Sequence, residues 1–225
     1  MLVTVHADLP VERVAGHTVQ YAVLGLDDRA RVSDVSSGVS AVPSDSAGVT
    51  VVAVLRLRPG LSTIKAALRT DDGLEGSIFT EIEIPNRYRH LTMSDVELTS
   101  PTVRWTVLGN PPRFITSSLP GPPATRRAFA GDDVLTIYGE VYFSTDESPQ
   151  VALTVRRADG PKGRQLELPL TLATGGRVHR ASYRATLAVR DLPPGVHVLE
   201  VSARDQHGRT VRKLLDLNIT DASRR

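Results

Sequence analysis

Apolar and polar residues alternate with a period of two over much of this chain. Residues 49–57 read Val-Thr-Val-Val-Ala-Val-Leu-Arg-Leu, and residues 78–84 place Ile78, Ile82 and Ile84 on one face. Val151, Leu153 and Val155 alternate in the same way, as do Tyr183, Ala185, Leu187 and Val189. A period of two gives a strand with one buried and one wet face, the pattern of antiparallel sheets. Between the apolar runs stand Asp27-Asp28, Asp71-Asp72-Gly73, Asp159-Gly160, Gly175-Gly176 and His207-Gly208. Gly and Asp tolerate the backbone angles that tight hairpins require. No segment carries a sustained 3.6-residue apolar period with caps. The pattern predicts an all-β chain with little or no helix.

The predicted inward positions are Val51, Ala53, Leu55, Ile64, Ala66, Leu68, Ile82 and Ile84 in the first part of the chain. In the second they are Leu135, Ile137, Val141, Leu153, Val155, Leu187, Leu199, Val201, Leu215 and Leu217. An internal repeat divides the two parts. Pro59-Gly60, Ile64, Ala66, Leu68, Arg69, Gly73, Ile82 and Ile84 recur, all 135 positions later, as Pro194-Gly195, Leu199, Val201, Ala203, Arg204, Gly208, Leu217 and Ile219. Each copy reads as a Pro-Gly turn, a strand, a glycine-containing hairpin and a final strand. A repeat that closes each half predicts two domains of one kind in series. We expect two tandem immunoglobulin- or fibronectin III-like antiparallel β-sandwiches, at residues 1–88 and 89–225. Pro85–His90 would be a short link of limited freedom. The second domain would begin with a strand around Ser94–Leu98. Prolines at 111, 112, 120, 122 and 123 bracket Arg113–Ser118 and predict a long loop or edge segment at about 109–125.

Composition supports this picture and narrows the function. Hydrophobic residues make up 40% and charged residues 23%, a globular balance, while aromatics are only 4%. The cores must therefore rest on aliphatic side chains. Cysteine is absent, which removes disulfides, thiolate zinc sites and cysteine nucleophiles. No apolar run approaches the roughly 18–20 residues that span a bilayer as a helix, so no membrane insertion is expected. The N-terminus has no signal-peptide pattern and starts abruptly in a strand, as expected of a fragment of a longer protein. Residues 1–88 hold eight Lys/Arg against eleven Asp/Glu, a formal charge of −3, and residues 89–225 carry +5. The basic residues of the second half are scattered without a block or stacking aromatics, so no nucleic-acid partner is expected.

The sequence carries none of the common catalytic motifs. There is no Gly-x-Ser-x-Gly elbow. His6, His17, His90, His179, His197 and His207 form no paired metal-ligand pattern, and most are expected at turns or strand ends. Asp27-Asp28, Asp71-Asp72 and Asp132-Asp133 fall at expected turns, where Asp bonds its own backbone, and no EF-hand spacing occurs. Phosphate-binding glycine loops are missing. Asp34–Gly38 is expected to be a loop, and Asn218-Ile219-Thr220 matches a short glycosylation pattern. No catalytic residue, metal ligand or cofactor follows. One surface carries a candidate site. On Val134–Phe143, Leu135, Ile137, Val141 and Phe143 face one way, and Tyr138, Glu140 and Tyr142 the other. Two tyrosines and a carboxylate on an outward face suit a protein or a sugar, unless a loop covers them.

The Pro-Gly turn, the strand ending Glu83-Ile84-Pro85 and the run Leu91–Leu98 resemble the C-terminal tail of bacterial von Willebrand A-related proteins. Arg126–Leu135 and Tyr138–Tyr142 are similar to the second part of that tail. The resemblance implies a non-catalytic piece of a larger, exported or cell-surface protein, without the A domain or its metal motif. Protein–protein interaction or spacing is the expected role, with an unidentified protein partner. A carbohydrate-binding module using Tyr138 and Tyr142, or an enzyme with an interdomain site, are the alternatives.

Overall fold

The computed structural model describes residues 2–86, 91–100, 106–109, 124, 127–144, 147–160, 165–174 and 179–220. The Gly175-Gly176 turn, Arg113–Ser118 with its flanking prolines, and the Arg87–His90 part of the link lie outside the described residues. The chain is all-β, with several antiparallel sheets. Its helical content among the described residues is one four-residue turn of α-helix, α1 (Val11–Val14), and a 3-10 turn at Val189–Asp191.

The strands of the first part are β1 (Leu2–Leu9), β2 (Thr18–Leu26), β3 (Val32–Ala41), β4 (Val49–Arg56), β5 (Gly60–Thr70) and β6 (Glu75–Ile84). Three short strands follow: β7 (Thr92–Met93), β8 (Glu97–Thr99) and β9 (Thr106–Gly109). The chain folds as two compact units. The first holds the sheets β1-β4-β9 and β3-β2-β5-β6. Val51, Ala53 and Leu55 of β4, Val19 and Val23 of β2, Ile64 of β5 and Ile84 of β6 share one core. Of the expected inward residues, Ala66, Leu68 and Ile82 pack only at its margin. Strand β9 pairs in parallel with β4, although it lies beyond residue 88, where the repeat predicts the first domain to end. A four-residue segment has no apolar pattern that says which sheet it joins. Asp34–Gly38, expected as a loop, lies within β3. Its serines and glycine face β2 in register, Gly38 opposite Tyr21.

The second unit takes β7 and β8 and continues with β10 (Ala128–Ala130), β11 (Val134–Tyr142), β12 (Gln150–Arg157), β13 (Gln165–Glu167), β14 (Leu170–Thr174), β15 (Arg180–Ala188), β16 (Gly195–Arg204) and β17 (Thr210–Thr220). One sheet runs β10-β17-β16-β12-β13, and the other β14-β15-β11-β7, with β8 also on β11. The expected inward residues Leu135, Ile137, Val141, Leu153, Val155, Leu187, Leu199, Val201 and Leu217 are buried in one core, with Leu215 at its margin.

The 135-residue repeat is a repeat of structure. Strands β5 and β6 correspond to β16 and β17, antiparallel pairs that start at Gly60 and Gly195, both with positive φ. The hairpin loops match bond for bond. Thr70 N donates to Leu74 O and Gly73 N to Thr70 O, as Asp205 N donates to Arg209 O and Gly208 N to Asp205 O. The side chain at the head of each loop accepts from the residue four on: Leu74 N to Thr70 Oγ1 at 3.0 Å, and Arg209 N to Asp205 Oδ1 at 2.9 Å. The β2–β3 loop uses the same device, with Arg31 N donating to Asp27 Oδ1 at 2.9 Å and Ala30 at the positive-φ position. This is the three-residue hairpin loop with a left-handed final residue.

Candidate interaction surfaces

Alternation along β11 does place Tyr138, Glu140 and Tyr142 together on the face away from Leu135 and Ile137. Their side chains turn inward on one another. Both tyrosine hydroxyls donate to Glu140, Tyr138 at 3.4 Å to Oε1 and Tyr142 to Oε2. Arg180 lies 3.3 Å from the same carboxylate. The segment around Ser94 crosses here: Ser94 N donates to Glu140 O and Glu140 N to Ser94 Oγ, both at 2.9 Å. Tyr142 is buried and Tyr138 half-buried. A stacking platform needs open ring faces, and Tyr142 offers none. The residues form a closed polar cluster that fixes the Ser94 segment to β11.

Most carboxylate pairs serve as turn caps, as their sequence positions suggested. One also meets a histidine. The ligand atoms of His17, Asp71 and Asp72 lie within 4.8 Å of one another. His17 Nδ1 is 2.9 Å from Asp71 Oδ1, whose second oxygen accepts from Thr18 N at 3.1 Å. Asp72 accepts from the Thr70 hydroxyl. The Thr18 amide and then His17 hold the Asp71 carboxyl below the usual carboxylate range, and the Thr70 hydroxyl does the same for Asp72. Both carboxylates are exposed and His17 is half-buried; Asp72 braces the β5–β6 loop, and Asp71 ties it to His17 and Thr18. His197 departs from expectation. It sits inside β16, only 1% exposed, with Nδ1 on Gly195 O at 3.2 Å.

The surface that pattern reading missed is the edge of the first unit. Strand β6 ends its sheet, and eight of its ten residues are exposed or nearly so. Ile78 is 68% and Phe79 71% exposed, on opposite faces of that strand. Ile78 shares a face with Ile84, which is buried, so cover over this face runs out along the strand. There the two sheets part to form a cleft of about 320 Å³. Its walls are mostly apolar, among them Leu9 at the end of β1, Val23, Val51, Leu68 and Ile78. Asp8, Arg13 and Glu75 stand among the lining residues. Two adjacent large apolar side chains exposed on an edge strand, beside an apolar cleft, are an uncommon exposure for a lone domain.

No family model matches the chain, and no curated protein sequence matches it. Among the described residues, no helix is long and apolar enough to cross a membrane.

Proposed function

We propose that the chain is a non-catalytic pair of immunoglobulin-like domains whose task is to bind another protein, within a larger bacterial protein of the von Willebrand A-related kind. One observation carries this reading: Ile78 and Phe79 stand exposed on opposite faces of β6, the last strand of its sheet among the described residues, and Ile78 lines an apolar cleft. Apolar side chains so placed gain most by being covered, at about 25 cal/mol per Å² of apolar surface buried. A spacer has no use for such an edge. The tyrosine-based sugar reading finds no support in a closed Tyr138–Glu140–Tyr142 cluster.

A photo-crosslinking residue at position 79 tests this in extracts of the source organism. The expected result is a discrete adduct with one polypeptide, lost in Ile78→Lys and missing when the same crosslinker stands at Leu214, an equally exposed leucine in the second unit (62%). Adducts that are identical at both positions, or none, would reduce the chain to a spacer.

A further inference from the structure

The two units differ in what lies beside the strands at one side of each, and the repeat makes that difference legible. Strands β1 and β11 hold equivalent positions: each pairs with the strand, β4 or β15, that leads into the Pro-Gly turn. Strands β6 and β17 correspond residue by residue. In the second unit the opening between β11 and β17 is closed by Leu91–Thr99. Strands β7 and β8 pair with β11, and Leu91, Met93, Val96 and Leu98 are all buried in the core. Asp95 of this segment is ion-paired with Lys213 of β17. Phe129 of β10 adds a further plug, beside Ile219. Among the described residues of the first unit, β1 has only β4 beside it and β6 only β5. The place of the closing segment is the apolar cleft.

We infer that this cleft is a strand-acceptor site: a separate polypeptide inserts an extended apolar segment between β1 and β6, as Leu91–Thr99 lies between β11 and β17. Strand addition of this type takes affinity from main-chain bonds and specificity from alternate side-chain pockets. The inference rests on the interaction reading above and gives the partner its chemistry. Lys213, which holds Asp95, lies 135 residues after Ile78, so the first unit offers an aliphatic side chain where the second offers an ammonium. The inserted segment therefore carries an apolar residue where Leu91–Thr99 carries Asp95. The strands at the rim bear Asp8, Glu75, Glu81 and Glu83, against Arg13 on the adjoining turn and Arg69, which pairs with Glu75, and this acidic excess suits basic flanking residues. The same charges argue against a second copy of this chain. Antiparallel pairing of two β6 strands about Phe79 would set Glu75 opposite Glu83 twice, and like charges directly opposite destabilise a strand pair.

Two nine-residue probes test this on the full chain. Both have the sequence of residues 91–99 with Glu97→Lys, and one of them also carries Asp95→Ile. Labelled and titrated by fluorescence polarisation, the Ile probe should bind at least tenfold more tightly than the Asp probe. Ile78→Lys, a change at an exposed position, should reverse that order by rebuilding the Lys213–Asp95 pair. Amide shifts on binding should fall on β1 and β6. Equal binding of both probes to both proteins, shifts elsewhere, or a chain dimer abolished by Ile78→Lys would overturn the inference. Competition separates it from the broader reading. If the position-79 adduct forms but the Ile probe neither binds nor displaces it, strand insertion fails and protein binding stands; if no adduct forms, protein binding fails, whatever the probe does.

Discussion

Ala30 occupies the left-handed position of its hairpin loop, φ 58°, where the matching loops have Gly73 and Gly208. A Cβ in that region costs about 1–2 kcal/mol, part of which glycine returns as greater freedom in the unfolded chain. Ala30→Gly should therefore stabilise the first unit by about 0.5–1 kcal/mol in urea unfolding. The head of the same loop makes a prediction about pH. Arg31, through its guanidinium and then its amide, holds the Asp27 carboxyl down at about 2, against an ordinary 3.8. A carboxyl with a lowered folded-state pKa stabilises the fold above its unfolded value, and that contribution disappears as the pH falls through the folded value. The loop's contribution should be complete above pH 4 and fade between about 4 and 2, and Asp27→Asn should remove that part of the acid limb of the first unit's unfolding curve. Asp205 sits in a like setting, with one difference. Burial pushes its carboxyl up, but the hydrogen bonds and charge of Arg209 prevail, and the net shift is downward.

Elements were legible from period two and from turn residues, because both report local backbone preference. Strands β4, β12 and β15 stand close to where the alternation put them, and the repeat marked the hairpins β5–β6 and β16–β17. What the pattern missed depended on neighbours distant in sequence. Asp34–Gly38 reads as a loop by composition, yet it is held as a strand because Tyr21 lies across Gly38. The same device recurs on β11 and β15, where Tyr183 lies opposite Gly139. A Cβ at Gly139 would overlap the Tyr183 hydroxyl and ring, and Tyr183 is fully buried. Gly139→Ala should therefore destabilise the second unit by about 1–3 kcal/mol, the usual range for overpacking a filled core. Tyr183→Phe should do the reverse. Its hydroxyl is buried with no hydrogen-bond partner among the described residues, and burial with nearby acidic groups raises its pKa. Removing an unsatisfied hydroxyl is neutral or gains up to about 1 kcal/mol. Chemical denaturation of both variants reads the opposite signs directly. What covers the candidate site was illegible for a related reason. Alternation put Tyr138, Glu140 and Tyr142 on one face correctly, but only the register of β7 and β8 on β11 shows that this face is an occupied edge.

At the scale of the molecule, the repeat explains where the proposed interaction surface lies and why inspection of one copy alone could not reveal it. The β6 sequence reads as an ordinary half-buried strand, since its isoleucines alternate as Leu215, Leu217 and Ile219 of β17 do. Burial requires something on the other side, and the second unit has Leu91–Thr99 there while the described part of the first has a cleft. Backbone amides should report that asymmetry. Strand β11 is bonded on both sides, by β15 and by β7 with β8, whereas among the described residues β1 is bonded by β4 alone. Amides on an unpaired edge open at little cost, while those within a sheet require larger unfolding. In hydrogen exchange of the free chain, alternate amides of β1 and the outer amides of β6 should exchange fast, while those of β11 stay protected. Saturating the chain with the Ile probe should slow exchange in β1 and β6 and leave β11 and β17 as they were. If β1 is as protected as β11 before any probe is added, its edge is already covered, and the cleft is not open to a partner strand.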